Sequence, residues 1–132
     1  MVVEELGAFL VAQGLAVLNA DLWLHVMPDE PDDAAVIIEY AGDEPDYVQN
    51  DRKVELEYPR VQVAVRGELP EVTRLRAEQI YQSLMMIDNE LLSGTRYLSC
   101  LPVDTPAMLG RDESGRFMST INFRVEKELT NV

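Results

Sequence analysis

The side chains with the clearest chemical potential are one histidine, one cysteine and a large supply of carboxylates. His25 lies in the apolar run LWLHVM, residues 22–27. A catalytic or metal-bound imidazole needs partners, and the chain has no second histidine to complete a set. His25 therefore reads as a strand histidine with a local hydrogen bond. Cys100 lies in YLSCLPV, another apolar strand candidate. A nucleophilic cysteine needs an electropositive, accessible setting and usually a base, so Cys100 reads as core. Asp29, Glu30, Asp32 and Asp33 offer the oxygen ligands that calcium or magnesium prefers. The D-x-D-x-D-G spacing of an EF-hand is absent, however, and Pro28 and Pro31 stiffen the segment. Loose screening by divalent ions fits better than a built metal site. The sequence carries no G-x-x-x-x-G-K-[ST], G-x-G-x-x-G or G-x-S-x-G motif. Nothing selects a pair of carboxylates for acid–base work. The expectation is a protein with no catalytic residues, no cofactor and no metal.

Charge sharpens that expectation. The 132 residues hold 24 Asp and Glu against 11 Lys and Arg, for a net charge of −13. A generic nucleic-acid binder needs the opposite balance, because its affinity comes from cations that displace counterions. Hydrophobic residues make up 47% and charged residues 27%, the composition of a globular chain. The length suits one domain over residues 1–132. No apolar run approaches the roughly 20 residues that span a bilayer. The two early glutamates, Glu4 and Glu5, argue against a secretory leader. One cysteine forms no internal disulfide, so an oxidising compartment gains no support. The excess charge is uneven: residues 1–58 hold 14 acids and only two bases, Arg52 and Lys53. Most of it falls in MPDEPDD (27–33) and AGDEPDYVQND (41–51), whose Pro, Asp and Gly content predicts loops.

The elements that must position these residues follow from periodicity. Residues 2–13 predict a short amphipathic helix, stopped at Gly14. Residues 22–27 and 34–42 predict strands, and 43–58 a long loop. Residues 58–67 alternate cleanly, with Val61, Val63 and Val65 on one face and Gln62, Ala64 and Arg66 on the other. Pro70 and Glu71 open a helix expected to reach Leu92, its stripe being Ala77, Ile80, Leu84, Ile87 and Leu91. Met85 and Met86 are expected in the core, and Ser93-Gly94 as the helix stop. Strands are predicted over 96–104 and AMLGRD (107–112), then a tight turn over 111–116 and a long strand over 117–128. On the last strand Phe117, Ser119, Ile121, Phe123 and Val125 face inward. The order implies an α+β domain: a mixed, mostly antiparallel sheet, one long helix packed on a face, and a short N-terminal helix.

Four fragments in order carry a resemblance over roughly residues 5–127. They are MPDEPDD followed by VIIEYAG, PRVQVAVRG ahead of a long helix, AEQIYQSL followed by SGTRYLSC, and PAMLGRDESGRFMSTINFRV. Together they resemble the minor capsid and tail terminator proteins of long-tailed bacteriophages. The resemblance implies a structural virion protein, assembled in the host cytoplasm, that forms a six-membered ring at the head-proximal end of the tail tube. Such a ring stops tube polymerisation and presents a surface to the head connector. The implied partners are further copies of the chain, the tail tube protein and a head-completion protein; DNA passes through without specific binding, and no membrane is involved. A ring of one subunit type needs a heterologous interface that closes. Arg52, Lys53, Gln62 and Arg66 are candidates for it. Asp29, Glu30, Asp32, Asp33, Asp43, Glu44 and Asp46 are candidates for a negative surface facing the lumen or a partner. The rival reading is an acidic adaptor or inhibitor docking a basic partner through residues 27–51.

Overall fold

A computed structural model describes residues 1–47 and 54–129, with backbone alone for 44–47 and 54–55. The elements are α1 (Val2–Ala12), β1 (Leu22–Leu24), β2 (Ala34–Tyr47), β3 (Val54–Gly67), α2 (Pro70–Met85), β4 (Asp88–Leu92), β5 (Thr95–Pro102), β6 (Ala107–Arg111) and β7 (Phe117–Glu128). The strands make one sheet in the order β1-β2-β3-β7-β5-β4, with β6 also on β7. Of the strand pairs, β1–β2 is parallel and the others antiparallel. This is an α+β fold with a curled, mostly antiparallel sheet and two helices.

The alternation of β3 and β7 builds the core. Val61 pairs with Phe123, Val63 with Ile121 and Val65 with Ser119, and these side chains all point to the helix-covered face. Against them α1 buries Val2, Val3, Leu6 and Leu10, and α2 buries Ala77, Ile80 and Leu84. Each large side chain so buried contributes about 1.5–3 kcal/mol, so this shared face is the main source of stability. Cys100 is fully buried in the same cluster, and burial pushes its thiol up to about 12. Gly14 ends α1's last turn with φ 76°, a conformation glycine adopts without a Cβ clash.

Five expectations need correction. The second helix stops at Met85 rather than Leu92, and β4 follows. Ile87 is still buried beneath it, but Leu91 is 62% exposed. Ser93 and Gly94, both at positive φ, form the two-residue turn of the β4–β5 hairpin rather than a helix stop. Helical spacing at Leu91 was coincidental. Met85 and Met86 lie on the exposed side of the helix end, not in the core. Of the long loop expected over 43–58, residues 43–47 and 54–58 are strand instead: Asp43 pairs with Tyr58, Asp46 with Leu56 and Tyr47 with Val54, across two register shifts, while residues 48–53 lie outside the described residues. Pro45 is tolerated there because β1 pairs with β2 only at Ala35–Ile37, leaving the other side of the strand open. Finally, β1 ends at Leu24; His25 sits just beyond it at φ 74°, exposed, with Nε2 3.5 Å from Glu4 Oε1. The expected tight turn over 111–116 is present: Asp112 Oδ1 accepts from the backbone of Ser114 and Arg116, and Gly115 takes φ 79°.

Candidate functional site

The outer face of β3 and β7, away from the helices, carries a row of polar side chains. Their register sets Arg60 beside Arg124, Gln62 beside Asn122, Ala64 beside Thr120 and Arg66 beside Met118. Each of the three polar stations is tied to a segment of the same chain that carries at least one aspartate.

At one end, Arg66 and Arg116 clasp residues 29–33 against the sheet. Arg66 is 6% exposed and its guanidinium donates to three backbone carbonyls of the loop, those of Asp29, Pro31 and Asp32. Arg116 is 8% exposed. It donates to the Asp29 carbonyl, to Asp29 Oδ1 at 3.1 Å, to Asp32 Oδ1 at 3.4 Å and to Asp112 Oδ2 at 2.8 Å. The planar guanidinium suits this work, since its forked donors satisfy several acceptors at once. Burial, then the charge of Arg116, lowers the pKa of Arg66. Burial also works against Arg116, but hydrogen bonds to Asp112 and Asp29 outweigh it and raise its pKa. The backbone N–H of Arg116 holds the Asp112 carboxyl below its usual range. At the loop's far side Asp33 Oδ1 accepts from the Glu68 N–H at 3.1 Å. The Asp32 carboxylate, with Asp33 behind it, pushes Glu68 above the usual carboxylate range. Negative charge therefore still exceeds positive at this end, despite the two arginines.

In the middle, Gln62 Nε2 donates to Asn122 Oδ1 at 3.1 Å, and Asn122 Nδ2 donates to Asp104 Oδ2 at 3.3 Å. At the other end, Asp43 joins Arg124 at 2.8 Å and Arg60 at 3.5 Å. The hydrogen bond from Arg124, helped by Arg60, lowers the pKa of Asp43. The Arg124 guanidinium also lies 4.8 Å from the centre of the Tyr58 ring, a cation–π contact at the base of the β2–β3 hairpin.

On the inner face, beyond the apolar core, a second polar cluster is enclosed. The Tyr97 hydroxyl donates to Glu5 Oε1 at 2.9 Å, and Lys127 Nζ lies 3.7 Å from both Glu5 and Glu57. Burial, then the bond to Glu5, raises the pKa of Tyr97. No group of three or more His, Cys, Asp or Glu side chains is placed to hold a metal among the described residues.

The expected site residues thus separate. Arg66, Asp29, Asp32 and Asp33 come together at one station, with Glu30 on the same loop. Gln62 stands at the middle station and Asp43 at the hairpin. Glu44 and Asp46 continue β2 into that hairpin, and Arg52 and Lys53 lie outside the described residues. Sequence reasoning missed Arg116, Arg60 and Arg124. Their signal was present but local: each stands beside or within an alternating strand, and nothing along the chain names its partner.

A family model described as bacteriophage tail terminator protein matches residues 9–129. No curated protein matches the chain. Among solved structures, a chain from the virion of a native gene transfer agent particle superposes with a TM-score of 0.61. The match covers 96% of this chain and 90% of that one at 13% identity, a likeness of fold.

Proposed function

The chain belongs to the bacteriophage tail terminator protein family, structural virion proteins rather than enzymes, and on that premise we propose that it caps the head-proximal end of a tail tube as a ring of identical copies. In this reading the ring, of six copies as the family resemblance implies, stops addition of tube subunits and presents its far side to the head-completion protein. Assembly takes place in the host cytoplasm. The observation that carries the reading is the family match across residues 9–129.

The charge distribution adds to it. Asp29, Glu30, Asp32 and Asp33, with Glu68 beside them, form a surface on which acids outnumber the two clasping arginines. Turned toward the lumen, that surface repels phosphates and keeps passing DNA from adhering, the inverse of counterion-release binding. Asp43, Glu44 and Asp46 on the β2–β3 hairpin, with Arg52 and Lys53 in the same segment, serve as the contact with a neighbouring subunit, and Gln62 lies in the same outer row. The acidic-adaptor reading through residues 27–51 is weaker. Asp29 and Asp32, the acids it would need first, are already engaged by Arg116.

The test is tube growth. Tail tube protein is polymerised with and without the chain, and tubes are measured in negative-stain images. The expected result is a stain-visible ring at one tube end and arrested elongation. Tubes that grow to the same lengths with bare ends would overturn the proposal.

A further inference from the structure

The sheet has two open margins. Along β7, β5 and β6 lie end to end: β5 pairs with residues 123–127 and β6 with 117–120. β4 covers β5 only from Thr95 to Ser99. From Leu101 to Arg111 the outer side has no strand partner among the described residues. This margin exposes Leu101, Val103, Met108 and Leu109, the last at 64%. At the other end of the sheet, β1 covers β2 only at Ala35–Ile37. From Ile38 to Asp43 the outer side of β2 is also without a strand partner, and Tyr40 is half exposed there.

Unpaired strand edges with apolar side chains are templates for adding another strand, and soluble proteins ordinarily blunt or cover them. We propose that the β6 margin receives the Ile38–Asp43 margin of a second copy of this chain, continuing one sheet into the next. Three observations select that occupant. The two margins lie at opposite ends of one sheet, so joining them is head-to-tail and repeats around a ring. They are complementary in kind: one exposes Tyr40 and the other Met108 and Leu109, and Glu39 stands on the first while Arg111 ends the second. They are also staggered along the strands, because β6 stands level with the stretch of β2 that β1 covers. A sheet that closes on itself requires such a stagger. At a net charge of −13, copies repel at low ionic strength, so the contact forms more readily as salt screens that repulsion.

The proposal rests on the ring reading, and cross-linking separates the two. Tyr40→Cys and Leu109→Cys lie at exposed positions, and the native Cys100 is buried and unreactive. The full-length double variant, concentrated in raised salt with tail tubes supplied, is treated with a short bis-maleimide. The expected product is a ladder of covalent multimers that neither single variant forms. Dimers from Leu109→Cys alone would mean the margin pairs with its own kind, overturning the proposal. Assembly detected by light scattering without a ladder would overturn it too, leaving the ring intact. Absence of any assembly would overturn both.

Discussion

Replacing Arg66 with methionine removes one jaw of the clasp on residues 29–33 while keeping an apolar stem of similar length. Arg66 loses donations to the Asp32 carbonyl at 3.1 Å, the Asp29 carbonyl at 3.4 Å and the Pro31 carbonyl. A hydrogen bond from a charged group contributes about 1.5–3 kcal/mol when well formed. The bond at 3.4 Å is at the long end of the useful range, and water reaches an exposed loop once its donor is gone. Relief of the buried guanidinium, and of its repulsion with Arg116, offsets part of the loss. The expected net cost is about 2–4 kcal/mol, a large share of the roughly 5–15 kcal/mol that holds a domain folded. With a urea slope of about 2 kcal/mol/M, the middle of the usual range for small domains, the midpoint falls by about 1–2 M. Fluorescence of Trp23, the single tryptophan, reports the transition. Amide exchange separately reports residues 29–33, which lose protection first. Arg66→Lys keeps the charge but not the fork, and regains only part of the stability. An unchanged midpoint with unchanged exchange in the loop would show that Arg116 and Asp33 hold the segment unaided, refuting the two-arginine account.

Two further outcomes follow from the same geometry. Gly67 ends β3 where a Cβ would collide with the Thr73 hydroxyl and lie 2.9 Å from Asp33 Oδ1. Gly67→Ala is therefore expected to lower stability by about 1–3 kcal/mol, read by urea denaturation. A neutral Ala variant would mean the α2 start moves freely away from the sheet. Cys100 supplies an alkaline signature, because its thiol is pushed up to about 12 from an ordinary value of 9.0. Above pH 9 the unfolded chain loses this proton and the folded chain keeps it, so stability falls by about 1.4 kcal/mol per pH unit, reaching about 4 kcal/mol near pH 12. Cys100→Ala lacks that slope, whatever its constant cavity cost. Parallel stability curves for the two proteins between pH 9 and 11 would contradict the buried-thiol account.

Local periodicity determined much of this protein. Alternation along 58–67 and 117–128 assigned the inner faces of β3 and β7, because side-chain direction in a strand depends only on parity. The turn at 111–116 was legible for the same reason: Asp112 and Gly115 satisfy a few neighbouring backbone groups. The end of α2 was not, since Leu91 fits a helical stripe and a strand equally well and only its surroundings separate them. Residues 43–47 read as loop from their Pro and Asp content, but pairing with the β-favouring strand over 54–58 overrode composition. The clasp was the least legible feature. Arg116 reaches Asp29 across 87 residues and Arg66 reaches Asp32 across 34, and no local rule links charges at such separations. The sequence on its own determined that this chain is an acidic α+β domain with no visible catalytic set. Which acids its own arginines occupy, and which sheet margins stay open to a neighbour, was decided by the tertiary fold, because partnership between distant side chains exists only once the strands are in register.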